Sequence, residues 1–315
     1  LTASWKYRWN NANANQQHRF DLLDVNYVFM PWISDTFYDT YIKDPENRNA
    51  IIAYNYKNLF IVKLGYQYQY SSAGLASPMG IYGKDAYTVR FAVETAGNLL
   101  HGICNLADTK VNEDGHRTLF NIAYAQYAKF DFDISKSIRF SNRTSLALHF
   151  ALGVAYPYGN SDILPYEKRY FSGGANSVRG WSVRSLGPGS FIGNDGNIDF
   201  INQTGDVKLD MSAELRVHLF WKFDGAFFVD AGNIWTLRDY KDQPGGQFRW
   251  DTCWEQIAVA YGLGLRLNLN YFLLRFDAGM KAINPAYKDS KRHYPLIHPD
   301  FSRDFTFHFA VGLPF

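Results

Sequence analysis

The sequence predicts an all-β chain, an antiparallel up-and-down β-barrel that crosses a membrane. Three observations lead there. Long segments alternate apolar and polar residues, the connections between them alternate short and long, and no stretch approaches the ~18 consecutive apolar residues of a transmembrane helix. Composition agrees: of 315 residues, 17% are aromatic (25 Phe, 22 Tyr and 8 Trp), which excludes intrinsic disorder. A balance of 32 Lys+Arg against 30 Asp+Glu leaves +2, so no global field draws the chain to nucleic acid. The two cysteines, Cys104 and Cys253, are too few for a disulfide scaffold, and no CxxC or Cys/His group has zinc spacing. No metal or cofactor is expected.

Eleven strands follow from the alternation, at 1–9, 18–30, 59–72, 85–97, 121–140, 144–159, 207–220, 223–236, 254–269, 271–282 and 303–315. The chain opens inside the first of these, LTASWKYRW, without an initiator Met or a signal peptide, and reads as a processed or truncated segment. In 59–70, Phe60, Val62, Leu64, Tyr66, Tyr68 and Tyr70 oppose Lys63, Gln67 and Gln69. In 85–97, Tyr87, Val89, Phe91 and Val93 oppose Thr88, Arg90 and Glu94. The clearest case is 207–220: Val207, Leu209, Met211, Ala213, Leu215, Val217 and Leu219 share one face, and Lys208, Asp210, Ser212, Glu214, Arg216 and His218 the other. Most of these segments reach the ~9–11 residues a tilted strand needs to cross a bilayer.

A soluble sandwich alternates too, so the connections decide. They run short (10–17), long (31–58), short (73–84), long (98–120), very short (141–143), very long (160–206), short (221–222), long (237–253), one residue (Asn270) and long (283–302). That rhythm is the mark of a membrane barrel, with tight turns on one rim and long loops on the other. Trp5, Tyr7, Trp9, Tyr66, Tyr68, Tyr70, Trp221, Trp235, Trp254 and Phe272 sit towards strand ends, where interfacial girdles lie.

Residues 170–190 read YFSGGANSVRGWSVRSLGPGS. Val178, Arg179, Gly180 and Trp181, followed by the turn Leu186 to Gly189, resemble the signature loop of the BamA/TamA superfamily of outer-membrane assembly factors, the bacterial surface antigen family. MSAELRVHLF at 211–220, AFFVDAGNIW at 226–235, GLGLRLN at 262–268, LLRFDAG at 273–279 and the closing FHFAVGLPF resemble further family segments in the family's order. The resemblance spans residues 120–315. It implies a sixteen-stranded barrel in the bacterial outer membrane whose long external loop, between the eleventh and twelfth strands, folds into the lumen. About six of the eleven strands here precede that loop and five follow. The N-terminal strands and the periplasmic POTRA repeats are then expected to be absent from this chain, and 1–315 to be the C-terminal portion of the barrel domain.

The motif has a chemistry of its own. On 207–220 the even positions face inward, so Glu214 points into the lumen, and the outward set Phe227, Val229 and Ala231 turns Asp230 inward as well. An arginine carried inside by a glycine-rich loop could meet both carboxylates, its planar fork suiting bidentate pairing. Two readings of Arg179 stay open: a plug that rigidifies the barrel, or a part in an assembly cycle. The other inward acids and bases, with His149, His218 and His308, read as ordinary polar lining, and no catalytic residue is expected.

The resemblance implies a factor that folds client β-barrels into the outer membrane, not an enzyme, with outer-membrane lipid, clients and periplasmic or lipoprotein accessory subunits as partners. A BamA-type, TamA-type or two-partner-secretion protein all fit, and a passive channel or porin is the competing class. In the last strand, Phe305, Phe307 and Phe309 are expected to face lipid and Phe315 to complete a β-signal, while Gly312 and Pro314 weaken the seam.

Overall fold

A computed structural model describes residues 2–11, 15–29, 32–39, 49–74, 85–112, 115–193, 201–269 and 271–315. The turn expected at Asn270 and the centre of the one at 10–17 lie outside the described residues. Thirteen strands form one sheet: β1 (Thr2–Asn10), β2 (Gln16–Val28), β3 (Leu59–Ser71), β4 (Ala86–Ala96), β5 (Thr118–Leu119), β6 (Ile122–Tyr124), β7 (Tyr127–Arg139), β8 (Thr144–Pro157), β9 (Val207–Phe220), β10 (Phe223–Trp235), β11 (Ala258–Asn268), β12 (Leu273–Ile283) and β13 (Phe305–Val311). The eleven long strands make an antiparallel meander in which each pairs with the next long strand along the chain. Among the described residues β1 and β13 each pair on one side only. No described helix is long and apolar enough to cross a membrane.

Period two sets the two faces. Register places Glu214 of β9 opposite Phe228 of β10, and Asp230 opposite Ser212, so inward rows stay inward across the sheet. Leu215, Phe227, Val229, Leu263 and Phe307 are exposed on the outer face, while Glu214, Asp230, Arg266 and Asp277 are buried on the inner one. Large apolar side chains outside and charges inside invert the soluble pattern, as hydrocarbon around the sheet requires.

The structure corrects several boundaries. The expected strand 121–140 is two strands, because β4 stops at Ala96 and leaves the end of β3 without a partner on that side. β6 fills that place, pairing in parallel with Leu59 and Phe60, and Ala125 then donates its N–H to Phe60 before β7 takes up β4. Residues Cys253–Gln256 form a helical turn, so β11 starts at Ala258. Trp235, expected in the exposed girdle, is 2% exposed. It keeps its outward direction, but the connection after β10 folds over it with Phe248 and Cys253, and Gln256 accepts its indole N–H at 2.8 Å.

The last expected strand, 303–315, is also shorter. Phe301–Asp304 is a helical turn capped by Asp300, and β13 ends at Val311. Phe307 and Phe309 face outward, and Phe305 stacks on Phe301 at 4.5 Å between ring centroids. Gly312 then takes φ +91°, a conformation that glycine adopts without penalty, and turns the chain inward. Phe315 therefore leaves the lipid-facing row. Its ring stacks on His149 of β8 at 4.9 Å and lies 5.5 Å beneath the Arg216 guanidinium. Pro314 lies beyond the ladder, so its missing N–H removes no bond of β13.

Depth in the bilayer gives a test. Val229→Arg, at the middle of β10, should cost about 2–4 kcal/mol, and Leu219→Arg, near the short-turn rim of β9, about 0–1 kcal/mol. Guanidinium unfolding in phospholipid vesicles measures both.

Candidate functional site in the lumen

The connection between β8 and β9 runs back along the inner face of the sheet. It leaves through paired backbone bonds, Tyr170 N–H to Gly205 O and Gly205 N–H to Tyr170 O, both 2.8 Å. Tyr170 also donates its hydroxyl to Asp131 of β7 at 2.6 Å. Beyond this clasp, Val178, Trp181 and Leu186 are buried against Ala258 and Ala260 of β11. The wall is cut away to receive them. A Cβ at Gly279 of β12 would lie 2.2 Å from the Arg179 carbonyl oxygen, and one at Gly180 would lie 2.8 Å from the Ala260 methyl.

This seat delivers Arg179, 1% exposed, into a ring of acids. Its Nε and Nη2 donate to the two Asp230 oxygens, each at 2.8 Å, and its backbone N–H donates to Asp230 Oδ2 at 3.1 Å. Nη1 donates to Glu214 at 2.5 Å, and Asp277 Oδ2 lies 3.8 Å away. Ser212 completes the Asp230 side, donating to its Oδ1 at 2.6 Å. The guanidinium plane is also covered: its carbon sits 3.6 Å from the centroid of the Phe228 ring. Such a stack is worth about 2 kcal/mol when desolvated.

The acids are shared. Arg216 Nε donates to Glu214 at 2.8 Å, and Arg266 bridges Glu214 at 3.0 Å and Asp277 at 2.5 Å. Arg275 reaches Asp277 at 3.0 Å and donates to Ala175 O and Asn176 Oδ1 of the loop at 2.7 and 2.6 Å. Four guanidiniums thus meet three carboxylates, all of them buried. A buried charge is tolerable only when every partner is in place. A second anchor sits nearby, where Ser177 donates to Asp210, which Lys208 also holds at 2.8 Å.

The loop is tied to the sheet's edge by main-chain atoms. Thr306 and His308 of β13 donate to the carbonyls of Gly180 and Arg179, both at 3.0 Å. The other two histidines pair with acids rather than with the motif: His149 with Asp133 at 2.9 Å and His218 with Asp224 at 2.7 Å. So the structure brings Arg179 to Glu214 and Asp230 and seats Val178, Gly180 and Trp181 around it. Phe305, Phe307 and Phe309 stay outside on the edge strand. Sequence reasoning missed the roles of Phe228, Ser212, Thr306 and His308. Phe228 shares the parity of Asp230 on β10, and an aromatic in an inward acidic row was a readable signal for a cation beside it.

A family model described as the Omp85 superfamily domain matches residues 36–315. This chain belongs to the Omp85 superfamily. Its location is accordingly the bacterial outer membrane. The outer membrane protein assembly factor BamA of Neisseria meningitidis serogroup B is 31% identical over 107 residues, 32% of this chain and 13% of that protein. Among solved structures, BamA from Haemophilus ducreyi lacking POTRA domains 1–3 matches with TM-score 0.61 at 14% identity, over 99% of this chain and 53% of that one. That likeness concerns the fold alone. CdiB from Acinetobacter baumannii aligns over 98% of this chain and 49% of its own, at 12% identity and TM-score 0.33, too distant to bear on topology. The chain thus spans about half the length of these two solved chains and 13% of the Neisseria protein.

Two variants test the site. Arg179→Ala removes the cation that holds buried Asp230, while Glu214 keeps Arg216 and Arg266, and should cost about 3–5 kcal/mol in chemical unfolding, the range for removing one partner of a buried pair. Gly279→Ala leaves every charge in place but displaces the Arg179 carbonyl. Its expected signature is faster proteolysis within 170–190, with the barrel strands still protected.

Proposed function

We propose that this domain helps to assemble client β-barrel proteins into the outer membrane, without catalytic turnover. The observation that carries the reading is the tie between the lumen motif and the last strand: Arg179, held by Glu214 and Asp230, offers its carbonyl to His308 of β13. Wherever a barrel seam opens in hydrocarbon, its strand edges expose backbone donors and acceptors that another strand satisfies. In this reading a client strand pairs there, β13 serves as one lip of the seam, and the loop holds the lip in register.

Family membership supports it, and so does the loop folded along the inner face, which argues against a passive pore. The same reading takes the chain as the C-terminal portion of a larger barrel that carries periplasmic POTRA repeats. Outer-membrane lipid, unfolded client barrels and periplasmic or lipoprotein accessory subunits are its partners. Residues Phe305, Phe307 and Phe309 give the lip its lipid-facing side.

The test is assembly of a urea-unfolded client barrel into proteoliposomes that contain the full-length protein, read as client that resists protease. The wild type should accelerate assembly over empty vesicles. Thr306→Val with His308→Phe, which removes both ties to the loop but no charge, should slow it severalfold. A full-length protein that conducts ions freely and assembles client no faster than empty vesicles is a channel, and the proposal fails.

A further inference from the structure

The connection between β4 and β7 does not stand up from the rim. At Gly97 the chain takes φ +76°, and a Cβ there would lie 2.2 Å from the Ala125 carbonyl oxygen, so only glycine makes this turn. The helix Asn98–Leu106 follows and packs Leu100 and Cys104 against Phe60 and Val62 of β3, with Tyr124 and Leu119 of the β5–β6 hairpin. Phe60 and Val62 belong to the row of β3 that faces lipid. The helix therefore lies outside the barrel wall, against its lipid face.

Its depth is marked by aromatic rings. Tyr27 contacts Phe29 and Phe60, at 5.8 and 5.0 Å between centroids, at the long-loop ends of β2 and β3. Tyr158, just past β8, donates its hydroxyl to Asn98 at the start of the helix at 2.9 Å. Tyrosines and tryptophans gather where headgroups meet acyl chains, so the helix lies at that level.

The remaining sides of the helix differ. Asn98, Gly102 and Asn105 form one stripe. Leu99, Ile103 and Leu106, spaced i, i+4 and i+7, form the other and are 54%, 47% and 92% exposed. The helix carries no Asp, Glu, Lys or Arg, and charge resumes only at Asp108. At the tip of the adjoining hairpin Phe120, 84% exposed, adopts φ +52°, a conformation an aromatic residue rarely takes. Trp235 shows that this protein covers an outward aromatic with its own loop where burial in protein is wanted. Here the apolar stripe continues the lipid-facing surface of β3, and among the described residues no side chain covers it.

We propose that the helix Asn98–Leu106 and the β5–β6 hairpin form an interfacial anchor, which inserts Leu99, Ile103, Leu106 and Phe120 among the acyl chains of the external leaflet. The occupant of the stripe is lipid, because the surface is uncharged, convex and continuous with the barrel's hydrocarbon belt. The anchor widens the lipid contact beside β3, on a part of the wall remote from the β13 edge, and it does not depend on the function proposed above.

Depth-dependent quenching tests it. In the full-length protein with Cys104→Ala and Cys253→Ala, a bimane label is placed by Ile103→Cys, by Leu106→Cys or by Asn105→Cys. The barrel is reconstituted in phosphatidylcholine vesicles with nitroxides at the headgroup, carbon 5 or carbon 12, and retention of the β circular-dichroism signal identifies folded variants. Labels at 103 and 106 should be quenched most by the carbon-5 nitroxide, and their quenching by aqueous iodide should be severalfold weaker than at 105. Equal iodide quenching at all three positions overturns the proposal. Shielding of 103 and 106 from both iodide and lipid nitroxides overturns it too, because protein then covers the stripe.

Discussion

Hydrocarbon offers no hydrogen bonds, and every level of this structure answers to that. Backbone groups of the long strands find partners in an antiparallel ladder, so side chains alternate between lipid and lumen except at bulges such as the one at Leu22 and Leu23 of β2. Apolar residues occupy the outer positions, which leaves charges for the inner ones. A lumen lined with charge then needs either water or countercharge. Around Glu214, Asp230 and Asp277 the chain supplies the countercharge itself, by folding a loop inward to deliver one more guanidinium.

The arrangement around Arg179 reads as a specificity device as much as a source of stability. Two carboxylates, a serine hydroxyl and a phenylalanine ring converge on one planar group, and the loop's own N–H donates to one of those carboxylates. Lysine would meet the charge and lose the fork and the ring. Buried ion pairs often contribute little net stability against an apolar substitute, yet they admit few alternative geometries. Seating the motif therefore fixes the loop in a single position, to which Gly279 and Gly262 contribute by leaving room that any side chain would fill.

Much of this was legible in the sequence, because period-two alternation reports the direction of a side chain without any knowledge of what lies around it. Glu214 and Asp230 were readable as inward for that reason, and the glycines around Arg179 marked a close approach. What alternation cannot report is where a strand gives way to something else. Phe315 has the parity of Phe309, but Gly312 intervenes and turns it inside. Trp235 has outward parity, but a connection far along the chain covers it. The helix Asn98–Leu106 was hidden in a segment read as a loop: at nine residues its apolar spacing is short, and its place outside the wall depends on β6 filling the end of β3.

The loop's two attachments differ in kind. Towards β9, β10 and β12 it is held by ion pairs of a guanidinium, bonds of about 1.5–3 kcal/mol each. Towards β13 it is held through two backbone carbonyls, indifferent to which side chain stands at 179 or 180. A load that draws the edge strand outward thus has a predetermined parting line. The two carbonyl bonds are the weaker attachment, so a displacement of the last strand would part them before the ion pairs that hold the loop to β9 and β10.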